Sequence, residues 1–195
     1  MVVHGAGRIP AVDGLNLEAG EVEFTEHGIE VNDYLQSISN PNVFAAGDVV
    51  ATKQPKLTPV ANQQGRTISR NLLAGENKHL PDYGVVPRIV FTIPPLAAVG
   101  LTEEQAGQQG LDFELREGDM STWGSVRKVC GTCAAYKILV DNGTDQILGA
   151  HLLGPHAADC INLFALAMKF GLTATNIKST LFAFPTFSSD IRNML

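Results

Sequence analysis

Residues Ala157 to Phe170 carry apolar side chains at more positions than one helical stripe can hold, among them Ile161, Leu163, Phe164, Leu166, Met168 and Phe170. Gly154-Pro155 opens the stretch and Gly171 closes it, so it reads as a single helix buried on more than one side. Its second cover is either the interior of its own domain or another subunit, and the pattern leaves both open. The residues just before it narrow the fold further. Tyr136–Val140 and Ile147–Leu153 are β-rich runs joined by Asp141-Asn142-Gly143-Thr144-Asp145, the clearest hairpin signal in the chain. A buried helix fed by an antiparallel hairpin implies an α+β domain.

The flanking segments extend that domain. Arg88 to Phe91 reads as a strand broken by Thr92-Ile93-Pro94-Pro95, and Ala97 to Gly100 resumes it. Thr102-Glu103-Glu104-Gln105 has the form of a capping box opening a short helix. Phe113 to Arg116 reads as another strand, and Leu172 to Leu181 as a further helix. Asn77 to Pro87 is polar and holds two prolines and a glycine, so a domain boundary is expected there, with residues 1–82 on one side and 83–195 on the other.

The N-terminal portion is patterned differently. Val43 to Ala46 reads as a short buried strand, after which Gly47 permits a turn or close approach and Asp48 places a carboxylate at the strand's C-terminal end. Such a carboxylate accepts hydrogen bonds from sugar or polyol hydroxyls, or simply closes a turn, and the residues alone leave both readings open. Thr58 is placed to cap a helix running to about Leu73, with Pro59 in its first turn, Gly75 beyond its end, and Val60, Ile68, Leu72 and Leu73 on its apolar face. Upstream, Val2–His4 reads as a strand, and short strands are expected around Val22–Phe24 and Ile29–Val31. Gly5 and Gly7 imitate a dinucleotide fingerprint, but Pro10 stands where the third glycine would be and denies the loop its helix.

Composition excludes several classes. A 45% hydrophobic and 17% charged chain of 195 residues is globular. A formal charge of -6 argues against nucleic acid or an anionic membrane as partner, and no apolar run approaches the roughly 18 residues needed to span a bilayer. Three cysteines make no disulfide framework, which points to a reducing cytoplasm.

Gly7-Arg8-Ile9-Pro10, Asn42 to Asp48, Leu57-Thr58-Pro59-Val60-Ala61, Phe91-Thr92-Ile93-Pro94 with Val99 to Glu103, Ile147 to His151 and Pro185-Thr186 occur in one order. In that order they resemble the C-terminal part of the pyridine nucleotide–disulfide oxidoreductases, the group of glutathione reductase, dihydrolipoamide dehydrogenase and mercuric reductase. The resemblance implies an α+β dimerisation domain, an antiparallel sheet with helices over residues 83–195. Before it would come an incomplete α/β FAD-binding segment, entered from the end of the NAD(P) domain. It also implies that Asp48 hydrogen-bonds the FAD ribityl chain, with Gly47 allowing close approach. Leu57 and Thr58 would lie at the helix start beside the flavin pyrimidine. A homodimer through the C-terminal domain is implied as well.

Two departures shape the functional expectation. The family's GxGxxG motifs and redox cysteine pair lie upstream of anything in this sequence, so the chain reads as a fragment that binds neither FAD nor NAD(P) tightly and does not turn over. Where the disulfide reductases carry a proton-relay histidine before Pro-Thr, this chain has Phe184, and Ser189 stands in place of the orienting glutamate with Asp190 one residue late. No catalytic residue is therefore assigned, and an electron acceptor other than glutathione disulfide or lipoamide is expected of the parent enzyme. The alternative is a standalone dimerisation or interaction module without redox work. A third reading, a thiol-redox protein, rests on Cys130-Gly131-Thr132-Cys133. The pair lacks a second CxxC, and a metal site there would need Cys160 with His151 or His156, so the two thiols are read as incidental and no metal is assigned. His4, His27 and His79 are read as solvated, and Asp141 and Asp145 as turn residues.

Overall fold

The computed structural model describes residues 1–195, which divide into two compact units, Met1–Tyr83 and Gly84–Leu195. The first holds little regular structure. Val2–His4 is not the expected strand: Val2 and Val3 are almost fully exposed and bridge to nothing, because no neighbouring strand lies beside them. Short 3-10 turns at Asp13–Leu15 and Leu17–Gly20 precede a minimal hairpin of β1 (Phe24–Thr25) and β2 (Gly28–Ile29). The expected strands around Val22 and Val31 contract to these residues. At Gly28, φ is +123° and a Cβ would sit 2.1 Å from the Val49 carbonyl oxygen, so the chain crosses itself where only glycine fits.

Val43 to Ala46 is extended but is not a strand of a parallel sheet. It pairs only locally, through an antiparallel bridge between Gln36 and Phe44 and the Ala45 amide donating to the Leu35 carbonyl at 3.0 Å. The α-helix α1 (Thr58–Ala74) ends in a left-handed Gly75 whose amide bonds back into the last turn. Its buried positions are Val60, Gln64, Thr67 and Asn71, whereas Leu72 and Leu73 are exposed. Of the expected apolar face, Val60 is buried and Ile68 packs against the core, while Leu72 and Leu73 do not. The helix lays a largely polar stripe against irregular backbone, whose amides and carbonyls need partners that leucine cannot supply. Val12, Leu17, Val22, Ile29, Leu35, Ala45 and Val50 form this unit's core.

The second unit is built on a five-stranded antiparallel sheet of β3 (Arg88–Val90), β4 (Leu96–Gly100), β5 (Phe113–Asp119), β6 (Ala135–Asp141) and β7 (Ile147–Leu153), in the order β3-β4-β7-β6-β5. Helix α2 (Glu103–Gln108) begins with the expected capping box, Thr102 Oγ1 accepting from the Gln105 amide at 3.2 Å and Gln105 Oε1 from the Thr102 amide at 3.0 Å. Helix α3 (Gly124–Lys128) follows β5. The β6–β7 turn is closed by Asp141, whose carboxylate accepts from the Gly143 and Thr144 amides at 3.0 and 2.7 Å. The Thr144 hydroxyl, which donates to the same carboxylate at 2.8 Å, and then these amides hold its pKa below the usual aspartate value.

Helix α4 (Ala157–Lys169) lies across β4 and β7. It buries Ala157, Cys160, Ile161, Phe164 and Ala167, one helical stripe. Leu166 and Phe170 stay 53% and 70% exposed, so α4 is not wholly internal to its chain. The expected helix from Leu172 shortens to α5 (Ala174–Ser179), because Thr173 caps it through a reciprocal bond pair with Asn176. The chain closes with α6 (Phe187–Asp190) and a 3-10 turn at Ile191–Asn193 that seals Ile191, Met194 and Leu195 into the core. No helix is long and apolar enough to cross a membrane.

Candidate functional site

Gly47–Val49 forms a 3-10 turn packed against α1, so Asp48 projects from a turn and not from a strand end. Gly47 takes φ +80°, a left-handed value that a side chain would strain. Its amide donates to Gln64 Oε1 at 2.7 Å, and Gln64 Nε2 donates to the Tyr83 hydroxyl at 2.9 Å. Gln64 is 1% exposed, so this bridge fixes the turn from inside; burial raises the Tyr83 pKa, the Gln64 bond opposing it. Lys56 Nζ caps the Val50 carbonyl on the other side. Asp48 is exposed and makes no hydrogen bond or ion pair within the chain, which leaves its carboxylate available as an acceptor.

The narrow cleft between this turn and the start of α1, too tight to admit a water molecule, is lined by Gly47, Asp48, Leu57, Ala61 and Gln64. Thr58 is not the N-cap: Leu57 holds that place with no side-chain bond, and Thr58 opens the first turn, exposed and outside the cleft lining. A proline follows it, so the first turn presents few amide donors, and its positive end faces the cleft through backbone alone. Three of the four residues singled out in sequence thus meet at one cleft. Gln64, which positions them, was missed because an amide in an amphipathic helix reads as solvent-facing. Its spacing from Val60, Thr67 and Asn71 was the available signal.

The C-terminal residues form a separate feature within the second unit. Phe184 is 85% exposed and, with Trp123, Ser125, Pro185, Asp190 and Asn193, lines an open pocket of about 490 Å³. No histidine lines it. Asp190 accepts a hydrogen bond from the Ser125 hydroxyl, and Ser189 and Thr186 cap α6 reciprocally. Asp190 and Ser189 are therefore committed to holding α6.

Cys130 and Cys133 are free and exposed, Cys160 free and buried. Burial pushes the Cys160 thiol up to about 11. His151 shares a hydrogen bond with the Leu101 carbonyl at 3.0 Å, and His156 stacks on Phe187 and meets Asp159 at 3.3 Å. No three His, Cys, Asp or Glu side chains converge as a metal-binding group. Asp145 accepts from the Thr175 amide at 2.8 Å, which holds its pKa down and joins the hairpin turn to α5.

A five-stranded antiparallel sheet backed by an amphipathic helix defines an α+β domain, preceded in sequence by a unit with a glycine–aspartate turn at a helix start. The profile of the pyridine nucleotide-disulphide oxidoreductase dimerisation domain matches residues 86–195, and that of the pyridine nucleotide-disulphide oxidoreductases matches residues 1–65. The chain belongs to this family. It is 44% identical over 181 residues to an uncharacterized 19.7 kDa protein in the mercuric resistance operon of Staphylococcus aureus, covering 93% of this chain and all of that one. It is 37% identical over 187 residues to mercuric reductase of Lysinibacillus sphaericus, covering 95% of this chain and 34% of the enzyme. Among solved structures, the HOCl-induced flavoprotein disulfide reductase RclA from Escherichia coli superposes with a TM-score of 0.88 at 31% identity, over 96% of this chain and 43% of that one. The chain thus spans the full length of the staphylococcal relative but about a third of mercuric reductase.

Proposed function

We propose that this chain supplies the dimer interface and one flavin-proximal contact of an FAD- and NAD(P)-dependent oxidoreductase, the dimer forming through residues 83–195 and residues 1–82 belonging to the cofactor-binding part. The observation that carries the reading is the second apolar side of α4. Leu166 on α4 and Phe170 at its C-cap are solvent-exposed, whereas Ile161 and Phe164 of the same helix are fully buried, in a domain whose family is defined by dimerisation. Light scattering on the purified chain at micromolar concentration tests it. A dimer is expected, converted to monomer by Leu166→Asp with Phe170→Asp; a wild-type monomer would overturn the interface.

The cofactor reading rests on the free carboxylate of Asp48 and the left-handed Gly47 beside the α1 start. Asp48 would accept hydrogen bonds from ribityl hydroxyls, Gly47 would admit the chain closely, and Leu57 and Thr58 would border the flavin pyrimidine. FAD, when bound, supplies two-electron transfer from NAD(P)H. With neither phosphate-binding glycine motif in these 195 residues, the purified chain should show no stoichiometric flavin absorbance and no NAD(P)H oxidation; bound flavin would show that residues 1–82 hold more of the site than proposed. Phe184 cannot carry a proton, so the acceptor served by the assembled enzyme is one whose reduction needs no histidine relay. We place the protein in the cytoplasm, with no nucleic acid or membrane partner.

A further inference from the structure

The loop joining α3 to β6 carries two free, exposed thiols three residues apart, and it is anchored at both ends. On the α3 side the Cys130 and Gly131 amides donate to the Arg127 and Val126 carbonyls at 3.0 and 2.9 Å, with Cys130 itself in the left-handed region at φ 57°. Gly131 is packed so tightly that a Cβ would stand 2.8 Å from the Val126 side chain and 3.1 Å from Pro155. On the β6 side Ala134 is buried and its carbonyl accepts from the Met120 amide at 2.8 Å. Three peptide units between the cysteines keep their Cα atoms within about 10 Å even when extended. Two thiolates reaching in from that span can each stand the roughly 2.3 Å from a shared ion that metal–thiolate bonds require.

What surrounds the pair sets the coordination number. No third His, Cys, Asp or Glu joins it. His156 is held between Phe187 and Asp159, His151 by the Leu101 carbonyl, and Cys160 is buried with a thiol that resists ionisation. Structural zinc takes four protein ligands, so a pair alone is a poor zinc site. Thiolates without harder donors select soft ions such as monovalent copper. Arg127 and Lys128, in the last turn of α3, place two basic side chains just ahead of the pair.

We propose that Cys130 and Cys133 form a two-thiolate site for a soft, thiophilic metal ion. Binding forms two metal–sulfur bonds, releases the two thiol protons to solvent and leaves the oxidation state of the ion unchanged.

The test is an anaerobic titration of the reduced full chain with monovalent copper against a chromophoric copper(I) chelator. One copper per chain is expected, with X-ray absorption showing a sulfur-only shell of two. Cys130→Ser and Cys133→Ser should each weaken binding at least tenfold, and the double variant should abolish it. Cys160→Ser should bind as wild type, and zinc should compete poorly. Both loop positions are exposed, and circular dichroism of the variants checks that they fold. The proposal is overturned if the wild type takes up no copper, if the double variant still binds, if Cys160→Ser is the variant that loses the ion, or if zinc displaces copper. Half an equivalent per chain, an ion shared between two chains, would equally sink the intrachain pair.

Discussion

The two units reach order by opposite means. Residues 84–195 satisfy their backbone within one ladder of five strands and bury twenty side chains in a single cluster beneath it. Residues 1–83 own two strands of two residues, a cluster of seven, and a helix that buries glutamine, threonine and asparagine. In the first case apolar burial organises the chain and hydrogen bonds follow from strand pairing. In the second, individual side chains do the work of a missing ladder. Asn71 shows it: its Oδ1 accepts from the Lys78 and His79 amides at 3.1 and 2.8 Å, and its Nδ2 donates to the His79 carbonyl at 2.9 Å. A region held this way depends on a few named polar atoms, whereas the sheet depends on volume.

Core truncation is the largest expected effect on the sheet side. Phe164 is fully buried between α4 and the sheet. Phe164→Ala should cost about 3–5 kcal/mol, read from denaturant midpoints. Its counterpart in residues 1–83 is Gly28→Ala, which drives a Cβ against the Val49 carbonyl. That variant should abolish amide-exchange protection around Ile29 and Ala51 while residues 84–195 stay protected. If it unfolded both units together, the contrast between separately built cores would fail.

A smaller effect is expected at Gln64. Replacing it by Leu keeps a similar volume but strips the Gly47 amide and the Tyr83 hydroxyl of their partner, a loss of about 1–3 kcal/mol. The faster exchange should be confined to the turn that presents Asp48. Tyr83→Phe removes only the outer bond and should cost about 1 kcal/mol. Equal effects from the two variants would mean that the Gly47 bond contributes nothing.

This difference also explains what could be read from the chain. The hairpin was legible because Ala135–Asp141 and Ile147–Leu153 pair with each other across a short turn rich in local signals. The capping box at Thr102 was legible because both halves lie within four residues. Asp48 and Gly47 could be found, but their place in a 3-10 turn and not at a strand end could not, since it depended on pairing partners that periodicity does not specify. The Gln36–Phe44 bridge and the parallel Ile29–Val50 bridge are single contacts with no pattern behind them. The double-sided apolar character of α4 was plain, yet which side met its own sheet required the register of β4 and β7. The link between Ser125 and Asp190 spans 65 residues, beyond any local signal.

The smallest expected effect sharpens the comparison where the sheet unit uses the polar device of the other. Asp145 lies in the β6–β7 turn, and its carboxylate accepts from the Thr175 amide at the start of α5. The bond lowers its folded pKa below the ordinary 3.8. Because the folded value is depressed, the stabilisation is complete above 3.8 and is lost as pH falls through the folded pKa. Asp145→Asn removes the charge but keeps an acceptor, so the stability difference at neutral pH should be modest for this half-buried turn residue. That difference should shrink towards zero in acid, while wild type and variant converge on one midpoint. A gap that stays constant from neutral pH to below 3 would assign the effect to packing of the turn, and would leave the sheet unit with no polar clasp comparable to Gln64 or Asn71.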